Sequence, residues 1–148
     1  MLRQFLPCPF SSLLKGKYIS NIVINSHLYQ RDCDIWRHLR INLHLNECPE
    51  LNSSPENIQH LTSLRSLCIW DCEGLASLPI NQIGYLTSLS HLEIGYCPNL
   101  ESLPDGVQSL SNLSWLTIRN CSTLKKRCKK KGGEDWSKIA HIPRFEIF

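Results

Sequence analysis

Apolar positions recur along this chain at two alternating spacings. Leu64, Leu67 and Ile69 stand three and then two residues apart. Cys72, Leu75 and Leu78 follow at three-residue steps, and Pro79 ends the run. The series returns as Leu89, Leu92, Ile94, Cys97, Leu100, Leu103 and Pro104, and again as Leu113, Leu116, Ile118, Cys121 and Leu124. Each copy reads L-x-x-L-x-I-x-x-C-x-x-L, with steps of 25 and then 24 residues, as from Leu67 to Leu92 to Leu116. The L-x-I alternation predicts a strand with one face buried. The cysteine predicts an inward-facing turn after it. Leu-Pro ends the straight run, because proline fixes φ and offers no N–H. Between each proline and the next copy, Ile83 and Leu86, then Val107 and Leu110, stand three apart, which predicts a short 3-10 or one-turn helix.

This period and pattern are those of a leucine-rich repeat. The expected fold is α/β: a leucine-rich-repeat solenoid in which each turn buries its core only against its neighbours. Its strands stack in parallel. The return segments are wider than strands, so the sheet should lie on the concave side and the 3-10 or irregular segments on the convex side. An imperfect copy precedes the clear ones. Leu39, Leu43, Leu45, Cys48 and Leu51 fit the frame with one extra residue between Leu39 and Leu43, and Pro55, Ile58 and Leu61 lead back to Leu64.

Three regions follow. Residues 1–38 hold one or two degenerate repeats whose register stays open, with Ile22–Ile24 reading as a strand. Residues 39–124 are the repeats. Residues 125–148 are a basic segment and a C-terminal cap. In the cap Trp136, Ile139 and Ile142 are expected to cover the last repeat, and Phe145 and Ile147 alternate like a final edge strand.

The outward positions of the strands form the candidate binding face. Between the two strand anchors lie His44, Cys68, Glu93 and Thr117. Just beyond lie Asn46, Trp70, Gly95 and Arg119, then Glu47, Asp71, Tyr96 and Asn120. Before the first anchor lie Asn42, Ser66, His91 and Trp115. Aromatic side chains beside arginine are typical of protein-binding hot spots, so His44, Trp70, Asp71, His91, Glu93, Tyr96, Trp115 and Arg119 are the candidate contact residues. The competing readings are that they pack on one another or on a partner domain of the same protein, or form ordinary surface.

Composition changes this picture little. The 148 residues carry a net charge of +3, and six of the sixteen Lys and Arg lie between Lys125 and Lys131. That run has no interleaved aromatics and reads first as a solvated surface, then as a dock for an acidic neighbour; nucleic acid is a distant third. Four of the eight cysteines, Cys48, Cys72, Cys97 and Cys121, share one repeat position. They are expected to form a buried ladder of free thiols. No secretory h-region is seen, so the compartment is expected to be reducing, cytoplasmic or nuclear. The sequons at Asn52, Asn112 and Asn120 are then expected to stay unused. Cys128, beside Arg127 and lysines, is a candidate for a lowered pKa. The histidines show no metal-ligand spacing, and no nucleophile–base or paired-carboxylate arrangement stands out. No metal, no catalysis and no membrane partner are expected.

The repeats, with Leu124-Lys-Lys-Arg127-Cys128 and Gly133-Glu-Asp-Trp136-Ser-Lys-Ile139-Ala-His-Ile142-Pro143, resemble the extreme C-terminus of plant intracellular nucleotide-binding leucine-rich-repeat disease-resistance proteins of the coiled-coil class. The resemblance spans about residues 39–148. It implies an immune receptor part that senses a pathogen effector and restrains the receptor's own nucleotide-binding domain, so the implied partner is protein. The family binds ADP or ATP in a domain for which this chain carries no G-x-x-x-x-G-K-[ST] loop, so no cofactor is expected here. An intracellular leucine-rich-repeat scaffold or substrate adaptor remains the alternative.

Overall fold

A computed structural model describes residues 62–78 and 83–148 in full, and the backbone of residues 21–24 and 41–46. The fold has α/β character. One six-stranded sheet runs in chain order. Its strands are β1 (Asn21–Ile24), β2 (Ile41–Asn46), β3 (Leu64–Trp70), β4 (His91–Gly95), β5 (Trp115–Arg119) and β6 (Arg144–Ile147). β2 to β6 make four parallel pairings. β1 lies antiparallel to β2, pairing Ile22 with Leu43. The strand expected at Ile22–Ile24 is therefore present, but it does not repeat the direction of those that follow.

Register follows the repeat. Leu67, Leu92 and Leu116 lie side by side, as do Ile69, Ile94 and Ile118. Each of these six is buried. The frame expected at Leu39 does not hold: Ile41, not Leu39, stands opposite Leu64, and the register shifts between Ile41 and Asn42 because Asn42 pairs with Ser66. β2 is thus one residue short of β3 at this point, where one extra was expected. The bulge lets Leu43 and Leu45 keep step with Leu67 and Ile69. Leu39 itself, Cys48 and the segment through Pro55 lie outside the described residues.

Two 3-10 helices, η1 (Ile83–Tyr85) and η2 (Asp105–Ser109), occupy the return segments. Ile83 and Val107 point from them into the core, and Leu86 and Leu110, the residues just after them, do the same. The three-residue apolar spacing places these side chains on one side of a helix with three residues per turn. The two helices approach at their glycines: a Cβ on Gly106 would stand 2.7 Å from the Gly84 nitrogen. Any larger residue at position 106 would force the neighbouring repeats apart.

Polar groups tie each repeat to the one before it. The Glu101 N–H donates to the Ala76 carbonyl at 2.9 Å, and the Ser114 N–H to the Ser90 carbonyl at 3.0 Å. Asn99 Nδ2 donates to the Glu73 carbonyl at 2.8 Å and Asn112 Nδ2 to the Thr87 carbonyl at 2.7 Å. These side chains satisfy loop carbonyls that no strand partner can reach.

The C-terminal segment adds two short helices, α1 (Ser122–Arg127) and α2 (Trp136–Ile139), before β6. Leu124, Cys128, Ile139 and Ile142 join the apolar core, and Trp136 packs against it half-buried. β6 pairs with β5 in parallel, Leu116 beside Phe145 and Ile118 beside Ile147. No helix among the described residues is long and apolar enough to cross a membrane.

Candidate protein-binding face

The sheet turns one face to the core and presents the other. Three lateral rows cross the presented face: Ser66–His91–Trp115, Cys68–Glu93–Thr117 and Trp70–Gly95–Arg119. Strand alternation fixes this set, since the residues between them are the buried anchors. β2 adds Asn42, His44 and Asn46 to the three rows by backbone register.

The rows gather the aromatic candidates into two separate groups. Along one edge Trp70 and Tyr96 place their ring centroids 5.4 Å apart, tilted by 37°. Glycine at 95 makes this possible: a Cβ there would stand 3.0 Å from the Trp70 ring, so the indole lies over the bare β4 backbone. Along the other edge His91 and Trp115 stand 5.8 Å apart, and the Arg144 guanidinium lies 5.9 Å from the centre of the Trp115 ring. His91 shares a 2.9 Å hydrogen bond with the Ser90 hydroxyl. Tyr96 and Trp115 are exposed, Tyr96 at 45%.

Between the groups runs a polar line. Arg119 Nε lies 3.8 Å from Glu93 Oε1, and its guanidinium stands 4.7 Å over the Phe148 ring. Cys68 Sγ donates toward Glu93 Oε2 at 3.8 Å. Burial raises the Cys68 pKa, hydrogen bonding to Ser66 partly offsets that, and the Glu93 charge adds to the rise. Cys68 and Thr117, although on the presented face, are covered by their longer neighbours and count as buried. The charges of Glu93 and Arg119 largely satisfy each other, so the face is locally neutral with aromatic ends. An ion pair this exposed contributes less than about 1 kcal/mol to stability.

One backbone feature recurs at the rim. Asp71, Tyr96 and Asn120, each just after its strand, adopt positive φ of 52°, 53° and 50°. The left-handed residue reverses the chain so that the following cysteine points back. Cys72, Cys97 and Cys121 each donate through Sγ to the carbonyl two residues earlier (Trp70, Gly95 and Arg119), all at 3.2 Å. All three side chains are buried and none is in a disulfide, and the same holds for Cys68 and Cys128. The Cys97 thiol, hydrogen-bonded within this ladder and desolvated, is held firmly in its protonated form. Cys48 lies outside the described residues.

Asp and Asn accept the left-handed conformation by bonding locally, whereas a tyrosine there costs roughly 1–2 kcal/mol. Tyr96 is therefore strained and exposed at once, and strained residues cluster at functional sites.

The cap holds one group that sequence reasoning left out. Asp135 is fully buried. Its carboxylate accepts from the Leu103 N–H at 3.0 Å, from Arg127 Nε at 3.0 Å and from Lys138 Nζ at 3.0 Å. Lys138 continues to Asp105 at 2.9 Å and to the Leu103 carbonyl at 2.6 Å, and Arg127 also pairs with Glu134. The network fastens the cap to the preceding repeat at the end of its Leu-Pro run. It also takes Arg127 out of the basic stretch as a free cation, while Lys125, Lys126 and Lys129–Lys131 remain exposed.

Cys128 departs from expectation. Its thiol is buried, and desolvation together with the Asp135 charge pushes its pKa up to about 12, overriding Arg127 and Lys138, which lower it. The neighbouring cations in sequence point elsewhere, so Cys128 is an inert core residue. Among the described residues, no three His, Cys, Asp or Glu side chains gather as a metal ion would need. No protein-family model matches this chain, and no curated protein matches it.

Proposed function

We propose that this chain is a leucine-rich-repeat solenoid that binds protein through its concave sheet face, and that it forms the sensor and autoinhibitory C-terminal part of a plant intracellular nucleotide-binding leucine-rich-repeat disease-resistance protein. The observation that carries the binding role is the presented sheet face, with exposed Trp115 and Tyr96 at its edges and a self-neutralised Glu93–Arg119 pair between them. Large aromatic area that is held rigid and loses little entropy on contact suits a protein partner. The sequence motifs from Leu124 to Pro143 support the receptor assignment. The partner is then a pathogen effector or the receptor's own nucleotide-binding domain, and the site of action is the cytoplasm or nucleus. The chain itself carries no catalytic role.

The test is a pull-down and titration of the full chain against a nucleotide-binding domain from a receptor of the coiled-coil class, supplied in trans. Docking is expected, and Trp115→Ala is expected to weaken it by about 2 kcal/mol or more, as a hot-spot truncation does. Tyr85→Ala, on the exposed η1 helix, is the control and is expected to change nothing. Absence of docking sinks the receptor assignment. Docking insensitive to Trp115, Trp70 and Tyr96 sinks the choice of face.

A further inference from the structure

Among the described residues, β6 leaves one edge of the sheet open. β6 stands at the end of the strand order, and among the described residues nothing pairs with its far side. The Arg144 N–H donates to the Ser114 carbonyl and the Phe148 N–H to the Ile118 carbonyl, so the even-numbered residues direct their backbone groups at β5. By alternation Phe145 and Ile147 direct theirs outward. Phe145 is 41% exposed and Phe148 is 53% exposed.

We propose that β6 pairs antiparallel with β6 of a second copy of this chain, centred on Phe145, joining the two sheets into one. In this register Phe145 faces its own counterpart and the two exchange both backbone hydrogen bonds. The Ile147 N–H of each copy meets the Pro143 carbonyl of the other, and the missing N–H of Pro143 is not called upon. Arg144 falls opposite Glu146 of the second copy, and Glu146 opposite its Arg144. Both lie on the presented face, beside Trp115 and Thr117.

Charge selects this register. Centring the pair one residue later, on Glu146, sets two glutamates directly opposite each other, which opposes pairing. Charged residues on an edge strand usually discourage pairing; here they permit one alignment and penalise the next. On the other face Phe145 would meet Phe145 of the second copy above Trp136, which already contacts the Phe145 ring edge-on at 5.3 Å. The inference does not rest on the binding role proposed for the face, because it is argued from the backbone groups and charges of β6 alone.

Sedimentation of the full chain over a range of concentrations tests it, with circular dichroism as the folding check. The wild type is expected to form a dimer. Arg144→Glu alone, or Glu146→Arg alone, turns two attractive pairs into two repulsive ones and is expected to weaken dimerisation roughly tenfold or more. Mixing these two single variants restores complementary pairs and is expected to restore a dimer containing one of each. The double exchange R144E/E146R is likewise expected to dimerise as the wild type does, which covers the case in which a single variant fails to fold. A monomeric wild type overturns the proposal. So does a dimer indifferent to the single exchanges, or a double exchange that stays monomeric.

Discussion

Asp135→Asn is the most discriminating substitution in the cap. Its carboxylate is fully buried and accepts four hydrogen bonds, one from the Leu103 N–H, two from Arg127 (Nε and Nη2) and one from Lys138. The amide keeps the shape and one acceptor oxygen but turns its NH2 group toward a cation. Leaving a buried donor such as the Leu103 N–H without its partner costs about 1–3 kcal/mol. Removing one partner from a buried charge pair costs about 3–5 kcal/mol. Arg127 and Lys138 keep Glu134 and Asp105 and reach solvent, so the full charge penalty does not apply. A loss of about 2–3 kcal/mol is expected for Asn and slightly more for Ala, a large share of the roughly 5–15 kcal/mol that holds a domain folded. Urea unfolding followed by tryptophan fluorescence measures it, and hydrogen exchange at Leu103 localises it.

The pH dependence gives a second handle on the same residue. Burial alone would raise the Asp135 pKa, but the hydrogen bonds from Arg127, Leu103 and Lys138 outweigh it and leave the carboxyl below its ordinary value. A folded pKa below the unfolded one means that the unfolded chain takes up the proton first. The stabilisation is therefore complete above the unfolded value of about 4 and is lost as pH falls through the folded pKa. The gap between wild type and Asp135→Asn should stay constant near neutrality and narrow only in acid. A loss below about 1 kcal/mol, or a gap that does not narrow in acid, would refute the assignment of Asp135 as the fastening of the cap.

Three further outcomes are expected. Leu116→Ala empties a fully buried site between the preceding repeat and the cap strand and should cost roughly 2–5 kcal/mol in the same unfolding assay; a smaller cost would mean that its neighbours close over the gap. Tyr96→Asn relieves left-handed strain and loses the Trp70 contact, effects of similar size, so stability should stay within about 1 kcal/mol. Protein binding should nonetheless weaken. Cys128, with its pKa near 12, should resist iodoacetamide at pH 8 in the folded chain and react after denaturation, as read by peptide mass spectrometry; native labelling at the denatured rate would show that its burial is wrong.

β3, β4 and β5, their order and their register were legible because one constraint repeats. Each L-x-I must bury the same two side chains beside those of its neighbour, and a slip of one residue would turn every leucine outward. The same logic failed at Leu39. There the frame was extended to the nearest leucine, whereas the backbone uses Ile41 and absorbs the mismatch in a bulge opposite Arg65. Apolar identity alone cannot tell a bulge from an insertion. The rows of the face were readable for the same reason as the core, but their side-chain contacts were not. Trp70 and Trp115 share the face yet belong to different groups, because one follows the strand's second anchor and the other precedes its first.

The positions that sequence reasoning missed share one cause: their meaning comes from another part of the chain. Asp135 is one acidic residue beside Glu134 until Leu103, some thirty residues earlier, donates its N–H to the carboxylate. Cys128 looks electropositive in sequence because Arg127 precedes it, and loses that character because Arg127 turns to Asp135 and Glu134. The left-handed rim did carry a signal. Asp71 and Asn120, residues suited to positive φ, occupy the same repeat position. Tyr96 is the member that breaks the pattern. Stability alone gives no reason to place a tyrosine there. The tyrosine retains the strain and gains an exposed ring against Trp70 over Gly95. That exchange is close to neutral for stability and adds contact surface, which is the reason to look for the proposed partner at this corner of the face first.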